Sequence, residues 1–162
     1  MANPHSMTTP RTMGRVTLAP VDPNLFSDTA LEAARACTSL KENKPAQLRK
    51  FYDELVMWHD KVHFAQSTEA KEAKFKEVSP FIQMMRAKAA YAKGRGLVDE
   101  TFYNLFNNVV SQIQTPETLR TAKFFFEAFL GYMKYFNPNS PKSRTGWLYN
   151  QPVPYFLRVA AR

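Results

Sequence analysis

Residues 44–54, Lys44-Pro45-Ala46-Gln47-Leu48-Arg49-Lys50-Phe51-Tyr52-Asp53-Glu54, decide the fold. A proline at a first-turn position, followed by apolar residues every three or four places, opens an amphipathic helix. At about 100° per residue, Phe51, Leu55, Trp58 and Val62 fall within an arc of roughly 60°. Leu48 and His59 widen that arc on one side. Arg49, Lys50, Asp53, Met57, Asp60 and Lys61 occupy the opposite face. The helix, expected over residues 45–66, turns one side to a core and the other to water or a polyanion.

The same period recurs on both sides of this segment, and no strand-like alternation appears between residues 28 and 136. Ser27-Asp28 reads as an N-cap before Leu31, Ala34 and Leu40, giving a short first helix that ends near Asn43. Ser67-Thr68-Glu69 opens a highly charged helix whose apolar face, Phe75 and Val78, is thin. Pro80 is expected to break or kink it. A further helix from Pro80 to about Lys93 should bury Phe81, Ile82, Met85, Ala89 and Ala92, with Gly94 and Gly96 stopping it. Val98 to Gln114 should bury Phe102, Leu105, Phe106, Val109 and Ile113, leaving a neutral face of Asn104, Asn107, Asn108 and Ser111. Thr115-Pro116-Glu117 combines an N-cap, a first-turn proline and an early acid. The helix it opens runs to about Phe136 and buries Leu119, Ala122, Phe125, Phe126, Phe129, Leu130, Met133 and Phe136.

The expected fold is therefore all-α, a compact bundle of five or six helices over residues 27–136. Residues 1–26, with Pro4, Pro10, Pro20 and Pro23 and no periodicity, are expected to form an irregular, mobile arm. Residues 137–162 read as a basic tail rich in proline and aromatic residues.

A chain of 162 residues suits one domain with a substantial core. Its 44% hydrophobic content and 13 phenylalanines argue against general disorder. Cys37 is the only cysteine, which excludes an internal disulfide framework and suits a reducing compartment. No apolar run is long enough to span a membrane, and residues 1–20 lack the apolar centre of a secretory signal. A cytoplasmic location is the expectation. The net charge of +8 is unevenly spread. Residues 1–43 balance four basic against four acidic groups, residues 44–135 carry fourteen against ten, and residues 136–162 carry four basic groups and no acid. Such a balance favours a polyanionic partner, nucleic acid before an anionic membrane.

The positive charge follows helix faces. On the last helix Arg120, Lys123, Glu127, Gly131 and Lys134 share an arc of roughly 80° opposite the phenylalanines, bordered by Phe124 and Tyr135. Cations beside flat rings can hold a single strand by backbone charge and base stacking. Arg86, Ala90 and Lys93 form a second stripe, which Arg95 extends. The competing reading is a solvated outer face, with Arg49–Asp53 and Lys50–Glu54 neutralising each other at i,i+4 spacing. Geometry alone leaves both open. His59-Asp60-Lys61-Val62-His63 places two imidazoles one helical turn apart, a spacing that can chelate zinc. Asp60 is a methylene shorter than the glutamate of zinc hydrolases, and the one other histidine, His5, lies in the arm. A metal hydrolase centred on this pair is thus a remote third reading. No phosphate loop, nucleophile elbow or paired-cysteine motif is present, so neither a catalytic site nor a cofactor or metal is expected.

Four segments together resemble a known family. Ala46-Gln47-Leu48-Arg49-Lys50-Phe51-Tyr52-Asp53 resembles the opening helix of the small helical subunit of the type III-A CRISPR effector, the Csm complex. Met85-Arg86-Ala87-Lys88-Ala89-Ala90-Tyr91-Ala92-Lys93-Gly94-Arg95, Phe102-Tyr103-Asn104-Leu105-Phe106 and the run from Lys123 to Lys134 agree in order and spacing. The resemblance spans residues 28–136 or so. It implies a non-catalytic subunit, present in several copies, that lines the path of the crRNA and its target RNA in antiviral defence. Its implied partners are both RNAs, further copies of itself, and the backbone and large subunits of the complex, with no membrane. Carried over by position, the implied RNA contacts are Arg49, Lys50, Arg86, Lys88, Lys93, Arg95, Lys123 and Lys134, and the stripe on the last helix adds Arg120. Lys88 fits least well, because its angle points it away from Arg86 and Lys93. The alternative is a helical protein–protein adaptor whose basic faces are merely solvated. The tail departs from the family pattern, and its Trp147, Tyr149, Tyr155, Phe156 and Leu157 suit packing on its own bundle or on a neighbour equally.

Overall fold

The computed structural model describes residues 15–39 and 41–137, and these are helical throughout their core, with no strand among them. A π-helical turn, Leu25–Thr29, runs into α1 (Ala30–Ala36), followed by α2 (Pro45–His63), α3 (Thr68–Gly94), α4 (Glu100–Ser111) and α5 (Pro116–Phe136). The all-α bundle of five helices matches the sequence expectation.

The helix ends follow local chemistry. Pro45 occupies the first turn of α2, and the Ser67 hydroxyl caps α3 by accepting the Ala70 N–H at 3.1 Å. Asp99 caps α4 through the Phe102 N–H at 2.8 Å, which starts that helix two residues later than Val98. Thr115 and Thr118 form a reciprocal capping box at the start of α5. The first helix differs from expectation at both ends. It begins at Leu25 rather than after a Ser27-Asp28 cap, and it stops at Ala36 rather than near Asn43. Ser39 explains the early stop: its hydroxyl accepts the Lys41 and Glu42 N–H groups at 3.3 and 3.2 Å, a local turn that competes with helix.

Pro80 neither ends nor divides α3, which runs unbroken for 27 residues. Pro80 and Lys76 both lie on the exposed side of the helix. Water can therefore take the Lys76 carbonyl that proline leaves without a donor.

Aromatic rings fill the centre. Phe51 of α2 lies 5.7 Å from Phe102 and 4.9 Å from Phe106 of α4, ring centre to ring centre. Phe106 meets Phe126 of α5 at 5.4 Å, and Phe102 meets Phe129 at 6.1 Å. The fully buried alanines Ala30, Ala33 and Ala34 allow α1 to lie close against α5. Three residues expected in the core stand partly outside it: Phe81 is 48% exposed and stacks on the half-buried Trp58 at 5.6 Å, and Phe136, at the end of α5, is also only half-buried.

Part of the expected N-terminal arm is integral to the bundle. Val16 and Leu18 are buried, and Gln112 holds them: its Oε1 accepts the Leu18 N–H at 3.0 Å and its Nε2 donates to the Val16 carbonyl at 2.8 Å. Residues 15–24 are irregular, as expected, but 16 and 18 are packed. The rest of the arm (residues 1–14) and the tail from residue 138 lie outside the described residues.

Asn43 ties two loops together at the other end. It is the only buried polar residue among those described, and its φ of 55° is left-handed. Its Nδ2 donates to the Cys37 carbonyl at 2.8 Å, its Oδ1 accepts the Asp99 N–H at 3.0 Å, and its own N–H reaches the Leu97 carbonyl at 3.1 Å.

Candidate nucleic-acid interface

Three seams between helices display the cations that the sequence singles out. Between α2 and α3, Lys88 pairs with Glu54 at 2.7 Å, and Lys61 lies 4.7 Å from the centre of the Trp58 ring. Glu54 is thus taken by Lys88 rather than by Lys50, its expected partner. Between α3 and α4, Arg86 donates to the Asn107 side chain at 2.6 Å, while Lys93 pairs with Glu100 and sits 4.9 Å from the Tyr103 ring. That ion pair holds the Glu100 carboxyl below its ordinary value, the Lys93 hydrogen bond being the main cause. Arg95, beyond the end of α3, donates to the Tyr91 hydroxyl at 3.2 Å and lies 5.8 Å from its ring.

The third seam, between α2 and α5, is the most developed. The two helices run antiparallel, so Tyr52 meets Glu127, His59 meets Lys123, and His63 meets the start of α5. Lys123 is not on an open stripe as expected: its side chain is only 15% exposed and pairs with Glu127 at 3.0 Å. Burial raises the Tyr52 hydroxyl above its ordinary range, and Glu127 beside it adds to the effect. Phe124 serves as a platform, with the Lys123 ammonium 4.5 Å and the Arg120 guanidinium 5.7 Å from its ring centre. Phe26 touches the same ring edge-on at 6.1 Å. Arg120, Lys134 and Tyr135 are exposed on α5, and a Cβ at Gly131 would meet nothing within 4 Å. On α2, Lys50 is exposed, and Arg49 pairs with Asp53 at 3.3 Å.

His59 and His63 stack at 4.1 Å between ring centres. His59 Nδ1 engages Asp60 Oδ1 at 2.9 Å, and no group of three His, Cys, Asp or Glu side chains able to hold a metal occurs among the described residues. Desolvation lowers the proton affinity of both rings, and the cations Lys123 for His59, Lys71 and Arg120 for His63, act in the same direction. Both are therefore neutral near pH 7. Burial also raises the Cys37 thiol, with Asp99 contributing, so its nucleophilic thiolate form is suppressed.

The nine sequence-derived cations are thus divided rather than gathered on one surface. Arg49, Lys50, Arg120, Lys123 and Lys134 belong to α2 and α5; Arg86, Lys93 and Arg95 belong to the α3–α4 side and its tip; Lys88 belongs to neither group. Helix angles could not reveal that Tyr52 joins the α2–α5 seam, because its partner comes from 75 residues along the chain.

A family model for Csm2 of type III-A matches residues 22–139. The chain is a member of the Csm2 type III-A family. It is accordingly a small subunit of a type III-A CRISPR complex, and the match covers every helix described here. Comparison with curated proteins and with solved structures found no match. Among the described residues no helix is long and apolar enough to cross a membrane.

Proposed function

We propose that this Csm2 subunit is a non-catalytic, cytoplasmic RNA-binding element that assembles in several copies along the crRNA and its target RNA. The observation that carries this reading is the Phe124 platform. Arg120 and Lys123 converge on one ring, and Arg120 has no ion-pair partner among the described residues. A strand laid along α5 finds phosphate-binding charge at Arg120 and Lys134, an open backbone at Gly131, and flat surfaces at Phe124 and Tyr135. Arg49 and Lys50 continue the charge onto α2. Such contacts give affinity without sequence choice, and guide–target base pairing supplies the sequence.

The α2–α3 side favours a different contact. Met57, Phe64, Phe81 and Met84 are all at least 42% exposed, and a surface of that kind suits another protein subunit rather than RNA. The two readings are complementary in one assembly.

The test is binding of the purified protein to two single-stranded RNAs of unrelated sequence across a salt series. Equal affinity for both, falling steeply with salt and weakened in Arg120→Ala/Lys134→Ala, supports the RNA role. Absence of binding at low salt leaves the adaptor reading in possession of the field.

A further inference from the structure

A groove of about 730 Å³ lies beside the π-helical turn and α1, lined by Pro20, Val21 and Pro23 and by the carboxylates of Asp22, Asp28 and Glu32. Val21 is 51% exposed and the nearby Phe26 38%, so apolar surface is left open there. Arg15 is the one cation among the described residues of the lining. Neither Asp28 nor Glu32 has an ion-pair partner among the described residues. In a chain of net charge +8, this is a locally acidic, partly apolar face without an occupant among the described residues.

The chain beyond α5 has the complementary chemistry. Residues 138–162 carry Lys142, Arg144, Arg158 and Arg162 and no acid, and hold Trp147, Tyr149, Tyr155, Phe156 and Leu157. Their point of departure is also right. Phe136, the last residue of α5, lies under the Arg35 guanidinium at 5.6 Å, so the chain leaves α5 beside the end of α1. Arg35, Glu32 and Asp28 follow one another along a single face of that element, which leads from the departure point back to the groove. Asp28 lies roughly 10 Å from Arg35 along the helix axis. Lys142 and Arg144 can reach about 17 and 23 Å past Asn137 at full extension. That reach is enough to bring both cations to Glu32 and Asp28, and Trp147, three residues beyond Arg144, has chain enough to enter the groove that these two carboxylates line.

We infer that the C-terminal tail docks on its own subunit, with Lys142 and Arg144 against the Asp22, Asp28 and Glu32 carboxylates and Trp147 in the adjoining apolar groove. The alternative of a neighbour's groove is disfavoured by tethering. A linker this short holds the tail near its own groove at an effective concentration on the order of millimolar. Phe26, which touches the Phe124 ring, borders both surfaces, but no α5 residue is among those that line the groove, and the inference stands whether or not α5 binds RNA.

The test uses the full chain. Trp58→Phe leaves Trp147 as the sole tryptophan, and its emission and its quenching by acrylamide are compared with those of the same chain carrying Asp28→Lys/Glu32→Lys. Docking gives a shielded, blue-shifted Trp147 in the first protein. The charge reversal shifts the emission to the red and raises quenching, while the helical circular dichroism stays the same. Zero-length carbodiimide coupling should join Lys142 to Asp22, Asp28 or Glu32 within the monomer fraction. Identical quenching in the two proteins overturns the proposal. So does coupling confined to a dimer fraction, which assigns the tail to a neighbour, or shielding that arises only when RNA is added, which makes the tail an RNA arm.

Discussion

Asn43 shows how one residue can hold a bundle end together. Its side chain joins the end of α1 to the cap of α4, and its left-handed backbone makes the turn into α2. Asn43→Ala removes both side-chain bonds, leaves the Cys37 carbonyl and the Asp99 N–H without their partner, and keeps the φ that alanine tolerates poorly. A loss of about 2–4 kcal/mol in urea unfolding is expected. Asn43→Gly loses the same bonds but relieves the backbone, so it should retain about 1 kcal/mol more than the alanine variant. The His59–His63 pair makes a second prediction at this scale. Both rings bind protons less readily in the folded chain than at their ordinary value of 6.5. The unfolded chain therefore takes up more protons below that value, and the associated stability, complete above it, is lost as the pH falls toward the folded-state values. Unfolding measured from neutral pH down to about pH 5 should show a steeper decline in the wild type than in His59→Gln/His63→Gln. Equal slopes would remove the pair from the acid response. The histidines were legible in the sequence as a pair sharing a helix face. Asn43 was legible only as a helix boundary, because its partners at Leu97 and Asp99 come from a loop more than fifty residues away.

At the scale of elements, the starts of α2 and α5 could be read to the residue because a proline marks each of them and a capping threonine also marks α5. α3 could not, because the rule that proline breaks a helix assumes that the freed carbonyl has nowhere to go. Here Lys76 and Pro80 face solvent, and packing of Phe75, Val78, Ile82 and Met85 on one side carries the helix through. Proline at this site still lacks a hydrogen bond that alanine would supply. Pro80→Ala should therefore stabilise the fold by about 1–3 kcal/mol, read as a rise in the urea midpoint with no change in slope. Thr115→Ala runs the other way. It removes the hydroxyl that accepts the Thr118 N–H at 3.1 Å and should cost about 1 kcal/mol in the same assay. A fall in stability for Pro80→Ala would mean that the proline fixes a shape of α3 on which the core depends. The N-terminal stretch escaped reading for a related reason. The alternation of Val16 and Leu18 around Thr17 is too short to register as a pattern, and only Gln112, far along the chain, reveals its use.

For the whole molecule the central question is where the charge goes once the helices pack. The angle of a residue around its own helix is legible in sequence, but the neighbouring helix that meets that angle is not. Lys88 and Arg86 are two residues apart, yet one reaches Glu54 of α2 and the other Asn107 of α4. A cation already matched to a carboxylate contributes less to a polyanion site than one that is not, since binding must first break or share the existing pair. The proposed RNA track therefore ranks its own residues. Arg120, exposed on α5 and without an ion-pair partner among the described residues, should lower the slope of log affinity against log salt by about 1 when replaced by alanine, and should do so for any RNA sequence. Lys88→Ala, in the α2–α3 seam, should leave affinity and slope unchanged. Lys123→Ala is the informative intermediate. Its ammonium is mostly buried against Glu127 and Phe124, so its removal uncovers a carboxylate on the track as well as deleting a cation. The affinity loss should then exceed that of Arg120→Ala, and Lys123→Ala/Glu127→Ala should recover part of it. If the double variant binds as poorly as the single one, Lys123 acts as a direct phosphate contact, and the neutralising role argued for it here is wrong.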